Sequence, residues 1–316
     1  MAITISGGVQ LSGPVTLTPS SGGSGGGGSY SFQGSNYGYT TGGTIPPTGA
    51  KTNIIDKYSF TSDGSASDVG DLTAIWISGA GQTSISSGYT SGGSNPVDPR
   101  FSTINKFPFS SDSDATDVGD LSVARSTAAG QSSSVNGYTS GGVDVSGVTN
   151  VIDKFPFSSD GTATDVGDLT FSNDGVAGQS STENGYGSQN LRSWEGTGID
   201  KFSFSSDGNS TSIGALADGR QYGAGQSSTS HGYQSGSNNF SNVIQKFPFS
   251  SDSNATDVGD LSSTNYQTNL AGSSSTTSGY AVAQEGIDKF SFSSDGNASD
   301  IGNLSVNRNL ACGQQN

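Results

Sequence analysis

The feature that most constrains this chain is a six-fold internal repeat. The segment Ile152-Asp153-Lys154-Phe155-Pro156-Phe157-Ser158-Ser159-Asp160 recurs with small changes and places an equivalent lysine at Lys57, Lys106, Lys154, Lys201, Lys246 and Lys289, at intervals of 49, 48, 47, 45 and 43 residues. A Gly-Tyr pair puts its tyrosine at Tyr39, Tyr89, Tyr138, Tyr186, Tyr233 and Tyr280. An Ala-Gly-Gln triplet or close variant puts its glycine at Gly81, Gly130, Gly178, Gly225, Gly272 and Gly313. A period of roughly 40–50 residues is the mark of a repeat array, in which each unit buries its faces against its neighbours instead of around one large core.

Within a unit, four short segments read as strands separated by Gly, Ser, Asn and Asp turn signals. In the third copy they are Ala177 to Ser181 (shared with the next unit), Tyr138 to Gly142, Val151 to Ser158 and Thr164 to Thr170. Phe155 and Phe157 share one side of their strand while Ile152, Lys154 and Pro156 share the other, so both faces carry bulk, as a sheet between two like sheets requires. Asp160-Gly161 is a hairpin signal between the last two strands. Four antiparallel strands in each of six copies predict an all-β, six-bladed β-propeller occupying residues 30–316.

Composition acquires its meaning from that repeat. The chain has 316 residues, of which 49 are Gly and only 29% are hydrophobic, with a formal net charge of -15. Taken alone this would read as disorder; spread over thin blades it suffices. One Cys and one His exclude a disulfide framework and the usual Cys/His zinc sites. Twelve basic residues against 27 acidic ones argue against a nucleic-acid partner, and no apolar run is long enough for membrane insertion. No cofactor is expected.

The residues resemble kelch-repeat propellers. Gly137-Tyr138-Thr139-Ser140-Gly141-Gly142 matches the family's strand ending in a double glycine, Asp153-Lys154-Phe155 its acidic residue and aromatic, and Leu121 followed by Arg125 the approach to an innermost strand. The likeness spans about residues 37–316 and departs at the fourth strand, where Asp-Val-Gly-Asp-Leu replaces the family's tryptophan. This form of the repeat also resembles virion structural proteins of aquatic tailed bacteriophages. That likeness implies a virion location and other virion proteins as partners.

The ends and the loops carry the functional expectations. Ala311-Cys312-Gly313-Gln314 matches the strand preceding each Gly-Tyr, so the C-terminus is expected to supply the innermost strand of the first blade. Residues 1–29 lie outside the repeat: Ile3, Ile5, Val9, Leu11, Val15 and Leu17 mark a strand-like anchoring arm, followed by a Gly/Ser linker. The distance from the repeat lysine to the leucine of the fourth strand is always 15 residues, whereas tyrosine to lysine falls as 18, 17, 16, 15, 13 and 9. Insertions are thus confined to the loop between the second and third strands. In an up-and-down meander that loop shares one end of the propeller with the blade-to-blade loop, giving a variable face and an invariant face.

On the variable face the candidates are Arg100, Phe101, Arg192, Trp194 and Phe240, and on its second loop set Trp76, Arg125, Arg220, Tyr222, Tyr266 and Arg308. Arg125, Arg220 and Arg308 each follow a repeat leucine by four residues, in alternate blades. They read either as a cationic triangle at the channel mouth, suited to an anionic sugar, or as arginines paired with neighbouring aspartates. His231 stands where four other copies have Ser87, Asn136, Asn184 and Ser278, and Cys312 where the others have Ala, so neither suggests catalysis. Asp112, Asp114, Asp117 and Asp120 crowd oxygen ligands together but lack EF-hand spacing. The repeat lysines are expected to pair across their own hairpin, as Lys154 with Asp165 or Asp168. A chain of this kind, without a secretory signal, reads as a non-enzymatic, outward-displayed virion protein, with a free carbohydrate-binding propeller as the rival.

Overall fold

The computed structural model describes residues 32–95, 97, 100–190, 197–219, 221–237, 241–263, 270–284 and 286–316. Among them are six four-stranded antiparallel sheets arranged as a propeller, plus one small hairpin. Blade 2 runs outward from Ala80–Thr83 through Ser87–Ser91 and Thr103–Pro108 to Thr116–Asp120, and blades 3 to 6 repeat that order. The Ala177 strand, assigned from sequence to two units at once, opens blade 4. Blade 1 is built from both ends of the repeat region. Cys312–Gln315 is its innermost strand, paired antiparallel with Tyr37–Ile45 in the register Tyr39 to Gln314 and Thr41 to Cys312. An oxygen of Asn316 accepts hydrogen bonds from the successive amides of Ser35, Asn36 and Tyr37 at 2.7, 2.7 and 3.1 Å, so the seam is fastened beyond the strand itself.

The core is a set of thin layers between blades. Tyr138, Ile152 and Leu169 of blade 3 meet Phe202 and Phe204 of blade 4, while Phe155, Phe157 and Ala163 on the opposite side of blade 3 meet Tyr89, Ile104 and Leu121 of blade 2. The two-sided third strand read from sequence therefore faces two different neighbours. At every interface the Gly-Tyr tyrosine stacks on the second phenylalanine of the next blade, with centroid separations from 4.5 Å for Phe60 and Tyr280 to 5.0 Å for Tyr39 and Phe109. Such pairs add roughly 0.5–1.5 kcal/mol each beyond the area they bury.

The axis explains the Ala-Gly-Gln triplet. A Cβ on Gly130 would lie 2.0 Å from the carbonyl oxygen of Gly81, one on Gly178 would lie 2.1 Å from that of Gly130, and the relation continues around to Gly81 against Gly313. The six glycines thus form a closed ring in which each α-carbon abuts the preceding carbonyl, and no other residue fits. Below the ring, the amides of Thr83, Ser132, Ser180 and Ser227 donate to the hydroxyl of Ser132, Ser180, Ser227 and Ser274 respectively. Gln315 takes the hydroxyl's place in blade 1, and there the chain's N-terminal segment enters: Gln315 Nε2 donates to the Phe32 carbonyl and the Gly34 amide to the Ser274 carbonyl.

The repeat lysines correct the sequence reading. Among the described residues these lysines make no ion pair within their own hairpin; Lys57 pairs with Asp112 at 2.8 Å, Lys106 with Asp160 at 3.2 Å, Lys154 with Asp207, Lys201 with Asp252, Lys246 with Asp295 and Lys289 with Asp63. Each lysine crosses to the hairpin of the following blade. The aspartate on its own fourth strand is turned away, because Asp165 accepts the Gly167 amide and Asp117 the Gly119 amide.

Candidate functional site

The two ends of the propeller are distinguished by their hydrogen bonds. At one end the loop between second and third strands is bridged to the loop entering the same blade, as Thr44 with Asn309, Ile77 with Ser94 and Ser126 with Val143. This is the variable face expected from loop lengths. At the other end the turn after the first strand receives the third strand of its own blade, as Phe157 N to Val135 O and Phe204 N to Glu183 O. The double glycines root the variable loops: Gly141 and Gly142 have φ of 66° and 102°, a left-handed path that turns the Gly142 amide onto the Asn173 carbonyl at 2.8 Å.

A belt of main-chain bonds frames the channel mouth on this face. The Thr127 amide donates to Ser78 O at 2.7 Å, Gly175 to Thr127 O at 3.0 Å, Tyr222 to Gly175 O at 3.0 Å, and Ser78 to Leu310 O at 2.9 Å. To make these bonds Ser78, Thr127, Tyr222 and Leu310 all take positive φ, between 55° and 67°, which is costly for side-chain-bearing residues and is sustained here by the belt. The axial cavity just inside it is only about 60 Å³, room for water and not for a ligand.

The arginine triangle does not stand at that mouth. Arg125 and Arg308 are fully buried: Arg125 Nη1 lies 3.2 Å from an Asp153 oxygen and Arg308 Nη1 lies 3.0 Å from an Asp56 oxygen, with all four side chains excluded from solvent. Their second nitrogens donate to Thr139 O and Thr40 O. Burial lowers the pKa of both guanidiniums and the facing carboxylate opposes that shift. They stitch blade 2 to blade 3 and blade 6 to blade 1, so the neighbouring-aspartate reading holds for these two. Arg192, Trp194, Arg220, Phe240 and Tyr266 lie outside the described residues, as do Ile3, Ile5, Val9, Leu11, Val15 and Leu17 of the arm.

Trp76 is likewise buried, tilted against Phe101 at 4.6 Å between centroids. Tyr222 donates from its hydroxyl to the buried Asp174 at 3.0 Å. Arg100 donates Nε to Val143 O at 2.9 Å, which ties the blade 2 insertion to the hairpin Val143–Asp144 and Gly147–Val148 of blade 3. The variable face of blades 1 to 3 also presents apolar side chains among polar ones: Ile75, Val97, Val123, Val145, Val148 and Phe171 are exposed, the loop tips Val97 and Val145 at 92% and 80%. These were missed because a lone valine in a polar loop carries no pattern signal.

Also missed was the role of the residue before the repeat lysine. Asp56, Asn105, Asp153, Asp200, Gln245 and Asp288 each accept a main-chain amide that follows the leucine of the preceding blade, for example Ser122 N to Asp153 at 2.9 Å and Ala217 N to Gln245 at 2.7 Å. The available signal was the recurrence of Asp at this position, in four of the six copies.

Little in the described residues suggests reaction chemistry. Among them no three His, Cys, Asp or Glu side chains come together as a metal site. The aspartates of the suspected calcium cluster are engaged separately, Asp112 with Lys57, Asp114 with the Asp71 amide and Asp120 with Ser102. His231 shares a hydrogen bond with Ser230, and burial followed by nearby Lys246 lowers its pKa. Burial pushes the Cys312 thiol up to about 12, away from the thiolate form. A groove of about 520 Å³ opens on the invariant face between blades 3 and 4, lined by Ser133, Val135, Thr182, Glu183, Asn184 and Phe204 among others.

Fold and faces together define the class: a closed six-bladed β-propeller with a variable face and an invariant face. No protein-family model matches the chain, and no curated protein is significantly similar to it.

Proposed function

We propose that this chain is a non-enzymatic structural protein of a bacteriophage virion, displayed on the particle exterior as a capsid decoration, tail or fibre component. Residues 1–29 anchor it to other virion proteins, and the variable-loop face meets the host surface or neighbouring subunits. The observation that carries this reading is the opposition of the two ends. The N-terminal segment joins the propeller at the axis through Phe32, which lines the lower channel mouth with Thr83, Ser132 and Gln315, while the described insertions of blades 1 to 3 lie at the other end. A tether on the axis of one end leaves the opposite end free to project, which suits loops that bind from a rigid scaffold. The likeness of the repeat to phage virion proteins supplies the setting. Mass spectrometry of purified particles is expected to find the chain, and its absence from every particle fraction sinks the proposal.

A second reading, a free carbohydrate-binding propeller, is favoured by the groove at Glu183. Serine and threonine hydroxyls, an asparagine, a carboxylate and the Phe204 ring offer hydrogen bonds and an apolar platform in a space of ligand size. Glycan-array binding that Glu183→Ala abolishes, with no particle association, would replace the first reading by the second.

A further inference from the structure

Five blades guard their outer edge with carboxylates and the fourth does not. The outermost strands are Ser67–Asp71, Thr116–Asp120, Thr164–Asp168, Thr211–Gly214, Thr256–Asp260 and Ser299–Asp300. Asp68, Asp117, Asp165, Asp257 and Asp300 are exposed, and each accepts the amide of the glycine two residues on at 3.0–3.2 Å. Asp71, Asp120, Asp168 and Asp260 add a second carboxylate three residues later. In blade 4 the corresponding residues are Ser212 and Ala215, and Thr211-Ser212-Ile213-Gly214 carries no charge.

An outermost strand presents a row of main-chain donors and acceptors that templates another strand, and charged side chains are a common means of keeping such an edge single. Thr211–Gly214 ends its sheet, and no described strand lies beyond it. Thr211 and Ser212 face solvent while Ile213 points into the layer shared with blade 5. Blade 4 is therefore the one edge of the described ring without a guarding carboxylate, its strand groups free up to Ala215, whose amide and carbonyl are engaged by Asn254 and Ala255 of blade 5.

We infer that this edge is a strand-addition site and that its occupant is the chain's own segment 3–17. That segment is suited to a neutral edge and to no other, because the chain has no Asp, Glu, Lys or Arg before Lys51. Laid along any other blade, it would cover aspartates that favour water. Ile3 and Ile5, Val9 and Leu11, and Val15 and Leu17 are spaced by two, the pattern of a strand with one apolar face. Reach decides between this copy and another. Residues 18–31 span up to about 46 Å when extended. The outermost strand lies three spacings of about 4.8 Å beyond the innermost one, on the order of 20–25 Å from the axis where Phe32 is held. A tether that spans its site holds the segment at an effective concentration in the millimolar range, so the own-chain contact outcompetes a second copy. This rests on the reading of residues 3–17 as a strand-adding arm and not on any particle; anchoring would require the arm to leave blade 4.

The test is hydrogen exchange on the full-length protein, alone in solution. A run of about four residues within segment 3–17 is expected to exchange about tenfold or more slowly than the same residues in a free peptide of that sequence. Ser212→Asp with Ala215→Asp, which gives blade 4 the pattern of its neighbours and keeps the melting curve, is expected to abolish that protection. Free-peptide exchange in the unmodified protein, or protection that survives the double substitution, overturns the inference. Cysteines at Ile5 and Ser212 are expected to cross-link within a monomer; a cross-linked dimer assigns the segment to another copy and overturns the own-chain contact. None of these outcomes depends on whether the protein is found in a virion.

Discussion

Arg308 of the last blade lies 3.0 Å from Asp56 of the first, and neither side chain reaches solvent. Removing one member leaves a buried charge without its partner, so Arg308→Ala or Asp56→Ala is expected to cost about 3–5 kcal/mol in denaturant unfolding. Replacing both, as Arg308→Met with Asp56→Asn, which keeps an acceptor for the Ser305 amide as Asn105 does for Thr73, is expected to restore most of that stability. A double variant no better than the singles would show that the pair itself, and not the orphaned charge, matters.

Closure by the C-terminus has its own consequence. Deleting residues 310–316 removes the innermost strand of blade 1, the acceptor oxygen of Asn316 and one member of the axial glycine ring. The truncated protein is expected to lose its single cooperative thermal transition. An unchanged transition would show that blade 1 stands without the seam.

The glycine ring can be probed by a single methyl group. Gly130→Ala puts a carbon 2.0 Å from a main-chain oxygen that cannot move without shifting blade 2, and is expected to destabilise by about 1–3 kcal/mol or more. Gly198→Ala is the control: its nearest neighbours would be 4.0 Å away, and its effect should stay within about 0.5 kcal/mol. Equal effects would contradict the axial packing.

The lysine belt is expected to count for little pair by pair. Lys154 and Asp207 are both partly exposed, so Lys154→Ala should cost under about 1 kcal/mol, with the loss shrinking as salt is raised.

His231 predicts a small acid sensitivity. Its folded pKa lies below the ordinary value of 6.5, because burial disfavours the cation. The unfolded chain therefore takes up the proton first as pH falls. Stability is unaffected well above pH 6.5 and is lost progressively below it. His231→Asn, the residue found at Asn136 and Asn184, should flatten the melting temperature between pH 7 and pH 5 relative to the parent. Parallel curves would remove His231 as the cause.

Much of the architecture could be read from residue spacing. Three landmarks in six copies specify six blades, and the match of Ala311 to Gln314 with the other innermost strands specifies closure. The division into two faces follows from the position of the insertions, since strand direction reverses at every turn. The candidate site was legible only in part. Arg100 and Phe101 do lie on the variable face, yet for Arg125 and Arg308 the spacing left open both the channel mouth and a pairing with aspartates, and burial against Asp153 and Asp56 decides for the second, because a side chain's direction is set by what stands beside it. Asp153 and Asp56 come from the following blade, 28 residues ahead in one case and across the seam in the other.

The same distinction separates what the sequence determined by itself from what tertiary structure decided. The repeat dictates count, strand order and closure, because these depend on distance along the chain. Partners depend on distance through space, and in a ring each blade touches the next more than it touches itself. Lys154 thus meets Asp207 and not Asp165, and Tyr138 stacks on Phe204 of the following blade. Six copies of one short pattern specify a blade; only the packing of blade on blade decides which of its polar groups are spent inside the ring and which remain to meet anything else.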